Sequence, residues 1–243
     1  MFDLLFSPVR IGRVEIRNRV AMTPMGVNLG ASGGGVTDDI IAFYEARARG
    51  GVGLIVSELC RVMDGAGAAD PCQLSVRSVC DVPGLARLVD SVRKYGAKVF
   101  LQLHHPGREG HAAIGGEQPV APSVVEHPGG GEMARELTIP EIERIRDAFV
   151  NGAFVAKMAG ADGVEIHGAH GYLVNSFLSP YLNRRTDRYG GSFENRMRFP
   201  LEILAGVRKV CGPDFPVGFR LSADEFLGDR GNDLAATCRI AAE

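Results

Sequence analysis

Apolar residues recur along this chain with two alternating periods. Short, near-continuous apolar runs occupy residues 19–25, 53–58, 98–104, 163–167 and 217–222, the pattern of strands covered by helices on one face and packed on the other. Between them the apolar positions recur at three- and four-residue spacing, which predicts helices. The first helix is expected over 37–49. A second begins near Asp81 with Pro83 in its first turn, aligns Leu85, Leu88, Val89 and Val92 on one face, and ends at Gly96. Thr138-Ile139-Pro140-Glu141 is a capping-box pattern, so a third helix is expected from there to about Ala159, before Gly160. A fourth should start at Ser192 and end before Gly212, with Pro200 removing one hydrogen bond and kinking it; a fifth begins near Asp233 and continues to Glu243. Ahead of the first strand, residues 9–16 alternate around Gly12 and predict a small hairpin that could plug one end of a barrel. The Gly- and Pro-rich segments 30–35, 106–122 and 128–131 are expected to be surface connections. No long repeat and no linker marks a second domain.

Successive strand–helix units predict an α/β fold with a parallel sheet. An open dinucleotide-binding sheet would place G-x-G-x-x-G directly after its first strand, whereas here that strand runs into Pro24-Met25-Gly26-Val27-Asn28. The expected fold is therefore a TIM (β/α)8 barrel. Such a barrel takes about 250 residues with all its helices. Five units in 243 residues consequently read as one domain, residues 1–243, forming the N-terminal part of a barrel whose other units would lie beyond 243.

Composition narrows the function classes. With 45% hydrophobic residues, 23% charged residues and a net charge of −2, the chain has an ordinary soluble composition, and its interspersed Lys and Arg leave no nucleic-acid footprint. Asp3 sits where a signal peptide carries a base, and no apolar run approaches the roughly 20 residues of a membrane span. Cys60, Cys72, Cys80, Cys211 and Cys238 form no C-x-x-C pair, which argues against a disulfide framework or a metal site; they are expected to be small core hydrophobes. A reducing cytoplasm and a small-molecule partner are the expectation, with a homo-oligomer left open.

In such barrels the chemistry lies at the C-terminal ends of the strands. The first strand ends in Thr23-Pro24-Met25-Gly26, the third in Gln102-Leu103-His104-His105, the fourth in His167-Gly168-Ala169-His170-Gly171-Tyr172, and the fifth in Arg220-Leu221-Ser222. His167, His170 and Tyr172 are the most informative group. Imidazole N–H groups can hold a carbonyl oxygen as negative charge develops on it, and a phenol can deliver a proton to an adjacent carbanion. The bland alternative for these three is hydrogen bonding within their loop. For Arg220 it is an ion pair with Glu165 or Asp224, and for His104 and His105 it is a solvated loop. Arg184, Arg185 and Arg188 are expected to build the turn at Tyr189-Gly190-Gly191.

The stretch from Gly163-Val164-Glu165-Ile166-His167 through Gly171-Tyr172-Leu173, continued by Asn175-Ser176-Phe177-Leu178-Ser179-Pro180 and Asn183-Arg184-Arg185-Thr186-Asp187-Arg188-Tyr189-Gly190-Gly191, resembles the signature of the Old Yellow Enzyme family. It is most similar to the branch of NADH:flavin oxidoreductases, 2-enoate reductases and 2,4-dienoyl-CoA reductases. The resemblance runs from Leu5 to the end. It implies an FMN-dependent reduction of the C=C bond of α,β-unsaturated carbonyl compounds, with NAD(P)H as reductant. Position by position, it implies that His167 and His170 bind the substrate carbonyl oxygen and that Tyr172 protonates the α-carbon. It further implies that Thr23, Pro24, Met25, Gly26 and Leu59 line the flavin, that Gln102 bonds its pyrimidine edge, and that Arg220 faces N1 and the C2 carbonyl. In the multidomain branch it would add a 4Fe-4S cluster and FAD beyond residue 243, where the phosphate-binding loops are also expected.

Two positions depart from the pattern. Leu59 stands where relatives often carry Ala or Gly. Gly26 stands where they often carry Thr or Cys, so covalent flavin attachment at that position is excluded. The rival readings are an amine dehydrogenase of the same barrel family, disfavoured by Gly26, and a catalytically silent truncated barrel acting as a binding or assembly piece.

Overall fold

A computed structural model describes residues 2–243. The chain enters through a hairpin, in which β1 (Val9–Ile11) and β2 (Val14–Ile16) pair antiparallel and Gly12 turns between them at φ 58°. There follow β3 (Ala21–Met22), α1 (Asp38–Arg49), β4 (Leu54–Arg61), α2 (Val82–Arg93) and β5 (Lys98–His104). A long excursion comes next, with a short helix α3 (Ala112–Gly115) and three short strands β6 (Val120–Ala121), β7 (Val125–Glu126) and β8 (Met133–Glu136). The chain then returns through α4 (Ile139–Met158), β9 (Gly163–Gly168), α5 (Leu173–Leu178), α6 (Phe193–Cys211), β10 (Val217–Leu221) and α7 (Leu234–Ala242).

Five strands form one sheet in the order β3-β4-β5-β9-β10, and every neighbouring pair is parallel. Spatial order therefore equals chain order. A doubly wound sheet reverses its order at a switch point, so this sheet has the barrel pattern instead. All five C-terminal ends share one edge.

Alternation along the strands separates two faces. Ile55, Val99, Leu101, Leu103, Val164 and Ile166 pack with Ile40, Tyr44, Leu85, Leu88, Phe149, Ala153 and Ile203 from the helices to make the main core. On the other face, Leu54, Val56 and Phe100 meet Ile16, Val9 and Val14 of the hairpin, which thus covers the N-terminal end of the sheet interior as the sequence predicted. Above that plug the same face becomes polar.

One irregularity decides which residues become polar. In β4 the register moves from Val56↔Phe100 to Leu59↔Gln102, so β4 carries one residue more than its partner, a β-bulge at Ser57 and Glu58. Without it Glu58 would point inward. With it Leu59 takes the inward position, and the Glu58 carboxylate turns away to accept from the backbone N–H groups of Val27 (2.8 Å), Asn28 (3.2 Å) and Leu74 (3.0 Å).

Several expectations need correction. The first strand is only Ala21–Met22, because Pro24 has no N–H and the N–H groups of Val27 and Asn28 go to Glu58 instead of a ladder. The second strand runs past Glu58 to Arg61 through the bulge. The segment 106–122 is not a plain surface connection: Val120, Ala121, Pro122 and Ser123 are buried, and β6 pairs with β8. α5 was not expected at all. Of the cysteines only Cys60 and Cys211 are buried, whereas Cys80 and Cys238 are exposed. Among the described residues no helix is long and apolar enough to cross a membrane.

Candidate active site

The polar face is built in two layers by strand register. Leu59, Gln102, Glu165 and Gly218 lie side by side, and one step nearer the C-terminal edge lie Arg61, His104, His167 and Arg220. The fold thus brings Leu59, Gln102, His167 and Arg220 together, with Thr23 immediately after β3 at the same edge. Gln102 donates from Nε2 to the Glu165 carboxylate at 2.7 Å. Burial raises the Glu165 pKa, opposed by that hydrogen bond and by the charge of Arg220. Among the described residues no carboxylate lies within ion-pair distance of Arg220 and none of them hydrogen-bonds its side chain, so an ion pair with Glu165 or Asp224 does not account for it.

The turn after β9 aims the remaining groups. His170 and Gly171 both adopt left-handed backbone, φ 62° and 81°. For a histidine this conformation is uncommon and is held from outside. Ser222 accepts from the His170 N–H at 2.9 Å, the Asn175 side chain accepts from the Gly171 N–H at 2.7 Å, and Ser176 donates to the Gly171 carbonyl at 2.8 Å. Tyr172 then caps α5. The result is a packed ring cluster: His167 lies 4.8 Å from Tyr172 and 5.1 Å from His170 between centroids, all edge to face.

The protonation states follow from the contacts. Nδ1 of His167 faces the Ala169 N–H at 3.3 Å, and a backbone N–H can only donate, so the ring proton sits on Nε2. Burial, then the charges of His170 and Arg220, lower the His167 pKa to about 3. His170 is lowered by burial and then by Arg220. Both are neutral N–H donors at neutral pH. Burial, then Glu109 and Asp70, raise the Tyr172 pKa, which keeps the phenol protonated. A cavity of about 440 Å³ opens beside His170, lined by Arg108, Tyr181, Ser222 and Asp224 among others.

His104 and His105 correct the solvated-loop reading, since both are buried, at 0% and 2% exposure. Leu173 donates its N–H to the His105 carbonyl, and α5 closes over the pair. Sequence reasoning also passed over Glu165 as a partner of Gln102. The signal was present: Gln102 and His104, like Glu165 and His167, are two apart on a strand and must share a face. By contrast, Arg185 behaves as expected of a structural arginine, giving Nη1 to the carbonyls of Pro122 (2.8 Å) and Leu137 (2.6 Å) and pairing with Asp187.

A sheet in chain order, a polar C-terminal rim and a plugged opposite end define a barrel-type α/β protein with its candidate site on that rim. Residues 4–242 match the model of the family described as NADH:flavin oxidoreductase / NADH oxidase. The chain belongs to that family. It is 50% identical over 241 residues to the NADH oxidase of Thermoanaerobacter brockii, covering 99% of this chain and 37% of that protein. It superimposes on 2-naphthoyl-CoA reductase in complex with 2-naphthoyl-CoA with a TM-score of 0.93 and 33% identity, over 100% of this chain and 38% of that one. An Old Yellow Enzyme homologue from Zymomonas mobilis gives a TM-score of 0.83 at 33% identity, over 90% of this chain and 63% of that one. The chain thus spans less than two-fifths of the NADH oxidase it matches.

Proposed function

We propose that this chain carries the reacting face of an FMN-dependent reductase of C=C bonds conjugated to a carbonyl, in enoates, enoyl thioesters or enones, with NAD(P)H as the source of electrons. In a multidomain form, a 4Fe-4S cluster and FAD would pass those electrons on. The observation that carries the reading is the convergence of two neutral imidazole donors and a protonated phenol beside a cation left unpaired by its neighbours.

That donor set fits a flavin ring. The Arg220 guanidinium is free to face the pyrimidine edge, and the Gln102 amide, steadied by Glu165, presents a donor and an acceptor to a ring with both. Leu59 and Thr23, Pro24, Met25 and Gly26 flank that position. Gly26 has no side chain, so a flavin lined by that position would meet bare backbone there and no nucleophile to attach it. This favours the ene-reductase over an amine dehydrogenase with covalently bound flavin. Bound and reduced, FMN supplies the hydride for the β-carbon. His167, through Nε2–H, and His170 hold the carbonyl oxygen as charge develops on it. Tyr172 gives its proton to the α-carbon, and the burial that raises its pKa ensures that the proton is there to give.

Replacing Tyr172 tests the assignment. In the flavin-loaded enzyme, Tyr172→Phe should leave flavin reduction by the nicotinamide nearly unchanged while slowing reoxidation by a weakly activated enoate by about 10²–10⁴-fold. Stopped-flow flavin absorbance reads both half-reactions. An oxidative rate within about twofold of wild type would remove Tyr172 from the mechanism. A colourless protein that takes up no FMN would favour the silent-barrel reading.

A further inference from the structure

His104, the last residue of β5, has no role in the reading above, yet it lies at the centre of the ring cluster. Its imidazole is 0% exposed, edge to face with Tyr172 at 4.4 Å and with His167 at 5.5 Å. Its Nδ1 is 3.2 Å from Nε2 of Gln73, a side chain itself 1% exposed. The Gln73 carbonyl oxygen accepts from the Ala69 N–H at 2.9 Å. A backbone N–H only donates, so the amide oxygen must face Ala69 and the amide nitrogen must face His104. An amide NH2 also only donates. His104 Nδ1 is therefore the acceptor, and the proton of the neutral ring is on Nε2.

That Nε2–H is buried and has no hydrogen-bond partner among the described residues. Folded proteins leave few buried donors unsatisfied, and those they leave call for a reason. Here the donor belongs to a ring in contact with the phenol proposed to lose its proton. Once Tyr172 has protonated the substrate it is a phenolate, buried and near the charges of Glu109 and Asp70. A fixed neutral N–H on a ring whose centroid is 4.4 Å from that of the phenol would stabilise such an anion and add no charge to the site. A protonated imidazole would be opposed by burial and by His167 and His105, which already hold the His104 pKa well below its ordinary value.

We propose that His104, locked as its Nε2–H tautomer by Gln73, is a positioning residue for Tyr172: it fixes the phenol ring against His167 and stabilises the phenolate left by proton transfer. The proton itself goes from the Tyr172 hydroxyl to the α-carbon and is replaced from solvent, and His104 neither gains nor loses one. This rests on the reading of Tyr172 as the acid.

Two measurements on the flavin-loaded enzyme test it. Long-range ¹H–¹⁵N correlation of ¹⁵N-histidine-labelled protein should show Nε2 of His104 protonated and Nδ1 bare at pH 7. In Gln73→Glu the carboxylate should draw the proton to Nδ1. A wild-type Nδ1–H tautomer would overturn the lock. The second measurement is a double-mutant cycle on the oxidative half-reaction. His104→Leu should slow it by about tenfold, the order of the one hydrogen bond that a phenolate would take from the donor now without a partner, and His104→Gln, which keeps a donor, should recover part of the loss. In a Tyr172→Phe background, His104→Leu should add almost nothing, since its effect passes through the phenol. A full tenfold loss in that background would overturn the proposal and leave the Tyr172 reading intact. If Tyr172→Phe alone fails to slow the reaction, the reading itself has failed. Should His104→Leu not fold, Gln73→Glu replaces it in the cycle, with the same expectations.

Discussion

Burial alone dictates how His105 responds to acid, and for His167 burial leads, followed by the charges of His170 and Arg220. Each is held to a pKa of about 3, against an ordinary imidazole near 6.5 in the unfolded chain. Between those values the unfolded state binds more protons than the folded one, so stability rises with pH across that window and is lost as pH falls through it. Glu58 and Glu165, raised by burial, work in the opposite sense. A variant therefore isolates the histidine effect better than the wild-type profile does. His105→Gln should flatten the dependence of unfolding free energy on pH between 7 and 5, by up to about 1.4 kcal/mol per pH unit. Denaturant titrations of both proteins at the two pH values check this, and equal slopes would exclude His105 as a source. That His167, His170 and Tyr172 would come together was legible because they follow one strand end within a single tight turn. The burial of His104 and His105 was not. They precede Pro106-Gly107 and read locally as a loop; their burial comes from α5, whose backbone at Leu173 lies 2.9 Å from where a Cβ on Gly107 would sit.

The same division holds for elements. Helices with a cap and a stripe, such as α2 and α4, start and stop close to where the sequence places them, because Pro83, Thr138 and Glu141 act on their own first turns. The β4 bulge has no such local mark. It exists because Glu58, 1% exposed, faces backbone donors from two other segments while its own N–H donates to the Tyr44 hydroxyl at 2.6 Å. No sequence period reports a partner that distant. The carboxylate satisfies three N–H groups, and an amide offers only one acceptor oxygen for them. Glu58→Gln should thus leave a donor unpaired and cost about 1–3 kcal/mol of stability. Amide exchange at Val27, Asn28 and Leu74 should accelerate, and, with residues 23–26 proposed to line the flavin, FMN should bind more weakly once the segment that follows them loses its anchor. Unchanged exchange at Val27 and Asn28 would show that the segment is held by something else.

Across the whole molecule, the parallel barrel-type sheet and the shared rim of Gln102, His167 and Arg220 were legible from the alternation of strand and helix, but the loops packed around that rim were not. The excursion between β5 and α4 and the loop after α5 are tied together by Arg185, whose side chain is 4% exposed and reaches Pro122, Leu137, Glu136 and Asp187 at once. Lysine supplies the charge but not the fork. Arg185→Lys should lower stability by about 2–4 kcal/mol, because carbonyls and a carboxylate near it are left short of donors. An intact denaturation midpoint would mean that the two loops hold each other without it.

A sheet whose spatial order is its chain order also bears on how the protein comes into being. Each new strand, on leaving the ribosome, finds its one partner already made, a few tens of residues upstream, and needs no later segment to displace it. Domains are generally assembled from the N-terminus as synthesis proceeds, and pairings between near neighbours close sooner than distant ones. The rim would accordingly be furnished in the order of translation, from Thr23 through Leu59, Gln102 and His167 to Arg220. Of these five strands β10 is made last, so the Arg220 cation would join the rim after the other four groups.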